Sequence, residues 1–271
     1  MRPLSNEHFE FLRSFLDKHS GYQLSPGKDY LLTTYLQPVL GPMGFSDVTD
    51  LVVALQASAR GPVADMVIES MTINETMFFR DNTPFQNIKN HILPALTKDQ
   101  TPRELKIWCA ACSSGQEPYS LAMLFDQEKH KYPGWRMNIL ATDLSGEMVK
   151  RGQDGLYSRF EVERGLPEEL RNQYFTQAGD RWQIAQSMRN MVTFQKSNLM
   201  QVPLNIGPFD IVMCRNVLLY FNTQQRKDVL ASIRRVTKNP GYLMAGSAEV
   251  LSDLTSSFKI HPEWRGVYQT V

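Results

Sequence analysis

Apolar residues recur at helical spacing through roughly the first seventy positions. Phe9, Leu12 and Leu16 share one side of a helix that Ser5 is placed to cap, and Phe11 and Phe15 widen the stripe. Gly21 is a natural stop. Pro26 fits the first turn of a second helix through Tyr30, Leu36 and Leu40, which Gly41, Pro42 and Gly44 then break. Ser46 predicts a cap for a third helix, Asp47 to about Ala57, and Pro62 opens a fourth through Val67. Short helices with one-sided apolar faces predict a small all-α domain over residues 1–72.

Near residue 103 the pattern changes. ELKIWCAA is a compact apolar run, followed by SSGQ and a helix from Glu117 that carries Tyr119, Leu121, Ala122, Leu124 and Phe125. RMNILATD is a second such run, with a helix from Leu144 to Arg151 behind it. FDIVMCRN is a third, followed by a helical Thr223 to Val236, and GYLMAGS is a fourth. Continuous apolar strands alternating with helices predict an α/β fold, a doubly wound parallel sheet covered on both faces, over 73–271. FKI and GVYQTV predict a closing strand pair. The stretch from about 154 to 196 breaks the rhythm. Its glycines at 155, 165 and 179, and its alternation around Arg181–Ile184 and Met191–Phe194, predict an insertion of helix and short antiparallel strands.

The 271 residues allow one large domain or two modest ones, and 42% hydrophobic content is that of a globular chain. A net charge of +1 supplies no basic field for nucleic acid. No apolar run approaches the roughly 20 residues that span a bilayer, and the polar start MRPLSNEHFEFLRSFL does not read as a signal peptide. With three cysteines there is no disulfide framework, so a reducing cytoplasm is the expected compartment. Cys109-x-x-Cys112 has neither a second CxxC nor a nearby His, which argues for buried packing and for no metal.

In doubly wound sheets ligands bind at the carboxyl ends of strands, where the strand order reverses. Four strand ends qualify: Ala110–Gly115, Asp143, Asn198–Leu199 and Arg215–Asn216. AACSSGQE is not GxGxxG, but its small residues let backbone approach a ligand, as they also permit a tight packing turn. Asp143 ends the second strand, where an acidic side chain accepts from both hydroxyls of a ribose; capping the next helix is the competing reading.

Six ordered blocks resemble the chemotaxis-receptor methyltransferases, the CheR family. They are NETMFFR at 74–80, WCAACSSGQEPYSLAM at 108–123, ATDLS at 141–145, SNL at 197–199, FDIVMCRNVLLYF at 209–221 and GYLMAGSAE at 241–249. The resemblance implies a class I S-adenosylmethionine methyltransferase with a Rossmann-like sheet. Its substrates would be glutamate side chains on the cytoplasmic helices of methyl-accepting chemoreceptors. It implies that Asn74, Thr76 and Arg80 contact polar parts of the cofactor and that Glu117 lies near its amino-acid end. Asp143 would hold the ribose, Asn198, Leu199, Arg215 and Asn216 would line the adenosine and methionyl regions, and Arg80 and Tyr220 would border the methyl-transfer site. Core packing is the reading for Phe78 and Phe79, with Arg80 at the pocket edge; the plainer alternatives are core packing for Tyr220 and a surface ion pair for Arg80.

An ionised glutamate, with a pKa near ~4.3, needs no general base to accept a methyl group. None of the five histidines falls inside a motif, in keeping with that chemistry. Two departures from the family pattern stand out. Gln116 replaces an acidic residue before the E-P-Y-S helix start, and residues 1–72 hold five Lys+Arg against eight Asp+Glu. The hairpin region Thr176–Met191 is also short, which predicts an enzyme independent of a receptor C-terminal pentapeptide tether. Two other functions fit the same cofactor site: a carboxyl methyltransferase for a small metabolite, and a sensor or adaptor that binds S-adenosylmethionine without turnover.

Overall fold

The structure, a computed structural model, describes residues 4–24, 27, 29–72, 74–98 and 101–271. The expected position of Pro26 lies outside them. Two compact units emerge: the described residues before Asn74 together with Tyr220–Gln225, and Asn74–Leu219 together with Arg226–Val271.

The first unit holds α1 (Asn6–Ser20), α2 (Asp29–Leu40), α3 (Val48–Ala57) and α4 (Pro62–Ser70). Ser5 Oγ accepts from the His8 amide at 3.2 Å, and Gly21 closes α1 in a left-handed conformation at φ 74°. The third helix is capped by Asp47, not Ser46: Asp47 Oδ1 accepts from the Asp50 amide at 3.0 Å, while the Ser46 amide donates back to Asp50 Oδ2 at 3.3 Å. Leu12, Leu16, Leu32, Leu36, Leu51, Val52, Leu55 and Val67 are buried in this unit. Among the described residues no single helix is long and apolar enough to cross a membrane. One pair, Tyr30–Met43 with Val48–Ala57, has the length and composition but bends by 74°, and Leu32, Leu36, Leu40, Leu51 and Leu55 within it are core.

The second unit opens with α5 (Thr83–Asn87), a π turn (Ile88–Ile92) and α6 (Leu93–Thr97), a stretch to which the sequence pattern assigned no element. Then follow β1 (Glu104–Ala110), α7 (Gln116–Glu128), β2 (Arg136–Asp143), α8 (Gly146–Asp154), β3 (Leu156–Ser158), α9 (Arg159–Glu163), α10 (Glu168–Tyr174), β4 (Phe175–Ala178), β5 (Arg181–Ile184), α11 (Gln186–Arg189), β6 (Val192–Lys196), β7 (Phe209–Cys214), α12 (Thr223–Arg235), β8 (Thr237–Ala245), β9 (Phe258–Ile260) and β10 (Val267–Thr270). A seven-stranded sheet runs β6-β2-β1-β7-β8-β10-β9, with β10 antiparallel to both its neighbours and every other pairing parallel. Every residue of β7 is buried, as a strand covered on both faces requires. The Trp108 indole donates to Thr142 Oγ1 at 2.9 Å, so its one polar atom is satisfied inside the sheet.

One expectation is corrected here. Val192–Lys196 is not an antiparallel strand of the insertion; it pairs parallel to β2, from Ile139 opposite Val192 to Asp143 opposite Lys196, and forms an edge of the main sheet. Only Val192 and Phe194 point inward, and that alternation looks the same in sequence for any half-buried strand. The insertion's own sheet is β3-β5-β4, antiparallel throughout. Its β4–β5 hairpin turns on just Gly179-Asp180, with Ala178 opposite Arg181 and Gly179 at φ 64°.

Strand order reverses between β1 and β7, since the chain builds outward from β1 through β2 to β6 before returning to lay β7 and β8 on the other side. The carboxyl ends of β1 and β7 therefore flank the crevice in which such sheets bind ligands.

Candidate active site

The loop leaving β1 has Ala111, Ser113 and Gly115 at φ 57°, 50° and 93°, alternating with residues of ordinary backbone. Gly115 is also demanded by packing, because a Cβ there would lie 2.8 Å from the Phe194 ring. Asp143, buried at the end of β2, fastens this loop: its Oδ2 accepts from the Ser113 amide at 2.7 Å and its Oδ1 from the Ser145 amide at 2.9 Å. Capping of α8 falls to Ser145, whose Oγ accepts from the Met148 amide at 3.2 Å, so the capping reading of Asp143 is set aside. The Ser197 amide donates to the Asp143 carbonyl at 2.8 Å, which brings Asn198 and Leu199 to the same strand end. Asn198 Oδ1 accepts from the Met200 amide at 2.9 Å, and Leu199 is half-buried.

The segment Asn74–Asn82 is tied across these loops. Its Asn74 carbonyl accepts from Ser113 Oγ at 2.9 Å, and Thr76 follows, half-buried. Phe78 is core, edge-on to Tyr157 and Phe175 at 5.2 and 5.6 Å, as expected. The Phe79 amide donates to Ser120 Oγ at 2.9 Å, and that hydroxyl donates to the Gln116 carbonyl at 2.6 Å. Phe79, Asp81 and Asn82 all have positive φ (50°, 66° and 42°), which costs about 1–3 kcal/mol for each non-glycine residue. Arg80 stands among these strained positions. Its Nη1 donates to the Glu75 carbonyl at 2.8 Å, whereas the Glu75 carboxylate pairs with Arg164 at 2.5 Å. The Arg164 guanidinium holds that carboxyl below the usual glutamate range.

Arg215, just past β7, joins the two sides of the crevice. With its side chain only 2% exposed, Nη1 donates to Glu117 Oε2 at 2.8 Å, and Nη2 donates to Asp81 Oδ2 at 2.7 Å and to the Arg80 carbonyl at 2.9 Å. Its Nε is buried without a partner among the described residues. Glu117, in the first turn of α7, is pushed up in pKa by burial, and Arg215 is the main opposing influence. Asn216 has φ 58°, and its amide donates to Glu249 Oε2 at 2.8 Å.

The structure thus brings Asn74, Arg80, Glu117, Asp143, Asn198, Arg215 and Asn216 to neighbouring strand ends of one sheet. Tyr220 groups with the helical unit, where its ring lies 6.4 Å from that of Tyr22. Ser113, Ser120, Asp81 and Glu249 were not singled out in the sequence, although each stands in or beside a recognised block. Cys109, Cys112 and Cys214 are free and buried, burial drives their thiols well above the ordinary value, and no metal-binding cluster occurs among the described residues.

The family described as "CheR methyltransferase, SAM binding domain" matches residues 74–266. "Chemotaxis protein methyltransferase Cher2" of Pseudomonas putida is 39% identical over 259 residues, covering 94% of this chain and 94% of its own length. "Chemotaxis protein methyltransferase 1" of Pseudomonas aeruginosa is 38% identical over 260 residues, again covering 94% of each chain. A "Chemotaxis protein methyltransferase" of Vibrio parahaemolyticus is 34% identical over 260 residues, covering 95% of this chain and 94% of its own. The chain belongs to the CheR family of S-adenosylmethionine-dependent chemotaxis methyltransferases.

Proposed function

We propose that this chain methylates glutamate side chains on the cytoplasmic helices of chemoreceptors, using S-adenosylmethionine and no receptor C-terminal tether. The observation that carries the reading is the Arg215 cluster, which hydrogen-bonds Glu117 and the Asn74–Asp81 segment together at the switch point of the sheet.

The side chains there fit the cofactor's chemistry. Asp143, buried at the end of β2, offers carboxylate oxygens of the acceptor type that a pair of ribose hydroxyls requires. Glu117 and Arg215 offer opposite charges side by side, the complement of a zwitterionic amino acid, and the unpartnered Arg215 Nε is a further donor. Asn74, Thr76, Asn198, Leu199 and Asn216 line the remaining edges. Bound S-adenosylmethionine supplies an electrophilic methyl group on a sulfonium. Since the acceptor carboxylate is already ionised, the protein has no proton to remove. Its work is alignment and exclusion of water, and positioning supplies up to about 7–11 kcal/mol. Arg80 orients the incoming carboxylate, and Tyr220 borders it. The insertion acts as a wall for a protein substrate.

Asp143→Ala is expected to weaken binding of S-adenosylhomocysteine by about 1–3 kcal/mol, the range for lost charge-assisted hydrogen bonds. Calorimetric titration checks it, and unchanged affinity would remove Asp143 from the ribose. The function itself is tested by incubating the protein with methyl-labelled S-adenosylmethionine and receptor-containing membranes. Base-labile label in receptor protein is expected. Label only in small acids, or cofactor binding without transfer, would replace the reading with one of its two alternatives.

Independence from a tether is supported by the two-residue Gly179-Asp180 turn, which leaves no extended loop to cradle a peptide against the insertion. Trp182 is half-buried, with the Arg171 guanidinium 4.9 Å from its ring centre. A receptor C-terminal pentapeptide should therefore show no binding, and tail-less receptors should be methylated as fast as intact ones. Micromolar peptide binding would refute this.

A further inference from the structure

Glu249 lies four residues past the end of β8, is 8% exposed, and does not touch the Arg215 cluster through any recorded bond. Its carboxylate nevertheless takes four backbone amides. Oε2 accepts from Gly246 at 2.7 Å and Asn216 at 2.8 Å, and Oε1 accepts from Val217 at 2.9 Å and Leu218 at 2.8 Å. The three amides at 216–218 lie between Arg215, just past β7, and the first position of the 3-10 turn Leu218–Tyr220, so no strand partner serves them. One side chain replaces the ladder for the whole exit from β7.

This exit holds Asn216 in a left-handed conformation, φ 58°, which asparagine tolerates better than most side-chain-bearing residues. The fit is close. A Cβ on Gly246 would stand 2.9 Å from both the Asn216 amide nitrogen and its Nδ2, and 2.7 Å from Glu249 Oε2. Glycine at 246 is therefore what lets the loop after β8 close on the loop after β7.

We propose that Glu249 is a positioning residue for the cofactor site: by binding these amides it fixes the backbone from which Arg215 and Asn216 face the cofactor. This rests on the cofactor role proposed above for Arg215 and Asn216. Chemistry makes the carboxylate specific. Glutamine is the same size, but one oxygen becomes an NH2 group, so two amide donors would meet a donor. Gly246→Ala perturbs the same place differently, keeping the carboxylate's chemistry but pushing on both Glu249 Oε2 and Asn216.

The test compares wild type, Glu249→Gln and Gly246→Ala in two measurements. In cofactor-free protein, hydrogen exchange at the amides of Asn216, Val217, Leu218 and Gly246 should accelerate by at least about tenfold in both variants, while β1 and β7 keep their protection. The Kd for S-adenosylhomocysteine should rise by at least about tenfold, as expected when donors lose a charged acceptor. In steady-state methylation the loss should fall on KM for S-adenosylmethionine more than on kcat. Exchange that is unchanged, or that accelerates equally across the sheet, overturns the proposal, as does a variant Kd within twofold of wild type. A wild-type protein that fails to bind S-adenosylhomocysteine at all would instead overturn the cofactor reading, and the positioning role with it.

Discussion

Arg215→Met is expected to destabilise the fold by about 3–5 kcal/mol and to abolish cofactor binding, because it removes one partner from a buried charge cluster. Methionine keeps most of the volume, so the loss is electrostatic. Glu117, whose side chain is 13% exposed, bears most of it; Asp81, at 37%, is partly hydrated and contributes less. The Arg80 carbonyl also loses its donor. The pH dependence has a definite sign. Burial already sets the folded pKa of Glu117 above that of an exposed glutamate, and removing Arg215 raises it further. As pH falls, the native state takes up that proton before the unfolded chain does, so the penalty is full above the folded pKa and shrinks toward the ordinary carboxylate range. Urea unfolding at several pH values checks this. A deficit below about 1 kcal/mol, or one that does not narrow on acidification, would contradict the role given to Arg215.

Arg80→Ala should act in the opposite way, on turnover and not on stability. Among the described residues its side chain makes one hydrogen bond, to the Glu75 carbonyl, which is worth about 0.5–1.5 kcal/mol. The role proposed for it is to aim the acceptor carboxylate, and loss of such alignment costs about a hundredfold in rate. The segment around it supports the assignment: three neighbours, Phe79, Asp81 and Asn82, hold strained backbone so that one arginine is presented from a fixed place. Thermal melting near that of wild type together with a collapse in kcat is the expected result. Near-normal methylation with normal melting would take Arg80 out of the transfer step.

What was legible in the chain follows from which interactions are local. The Ser5 cap and Pro62 in a first turn declare their helices locally, and β7 announces itself as a continuous apolar run because both faces are covered, as do the carboxyl-terminal halves of β1, β2 and β8. The start of β8 was hidden, since Pro240 inside Thr237–Ala245 reads as a turn. Thr83–Thr97 was hidden because Pro84, Pro94 and a π turn disturb the 3.6-residue period. β6 showed its alternation but not its partner, and strand pairing is a long-range choice. The site divides along the same line. Asp143, Glu117 and Arg80 stand in blocks whose spacing is readable. Ser120 and Glu249 act by holding the backbone of residues 41 and about 31–33 positions away, and Asp81 reaches 134 positions to Arg215. Nothing local marks such a role.

The central claim is that the Arg215 crevice transfers a methyl group to a receptor glutamate. Its most direct test is peptide mass mapping of a purified, tail-less chemoreceptor cytoplasmic fragment after incubation with wild-type protein and S-adenosylmethionine, with the Arg80→Ala protein run in parallel. The expected result is a base-labile methyl ester on glutamate side chains of the methylation helices, present with wild type and nearly absent with the variant. A methyl group on any other side chain, or none on the fragment while the protein binds the cofactor normally, would contradict it.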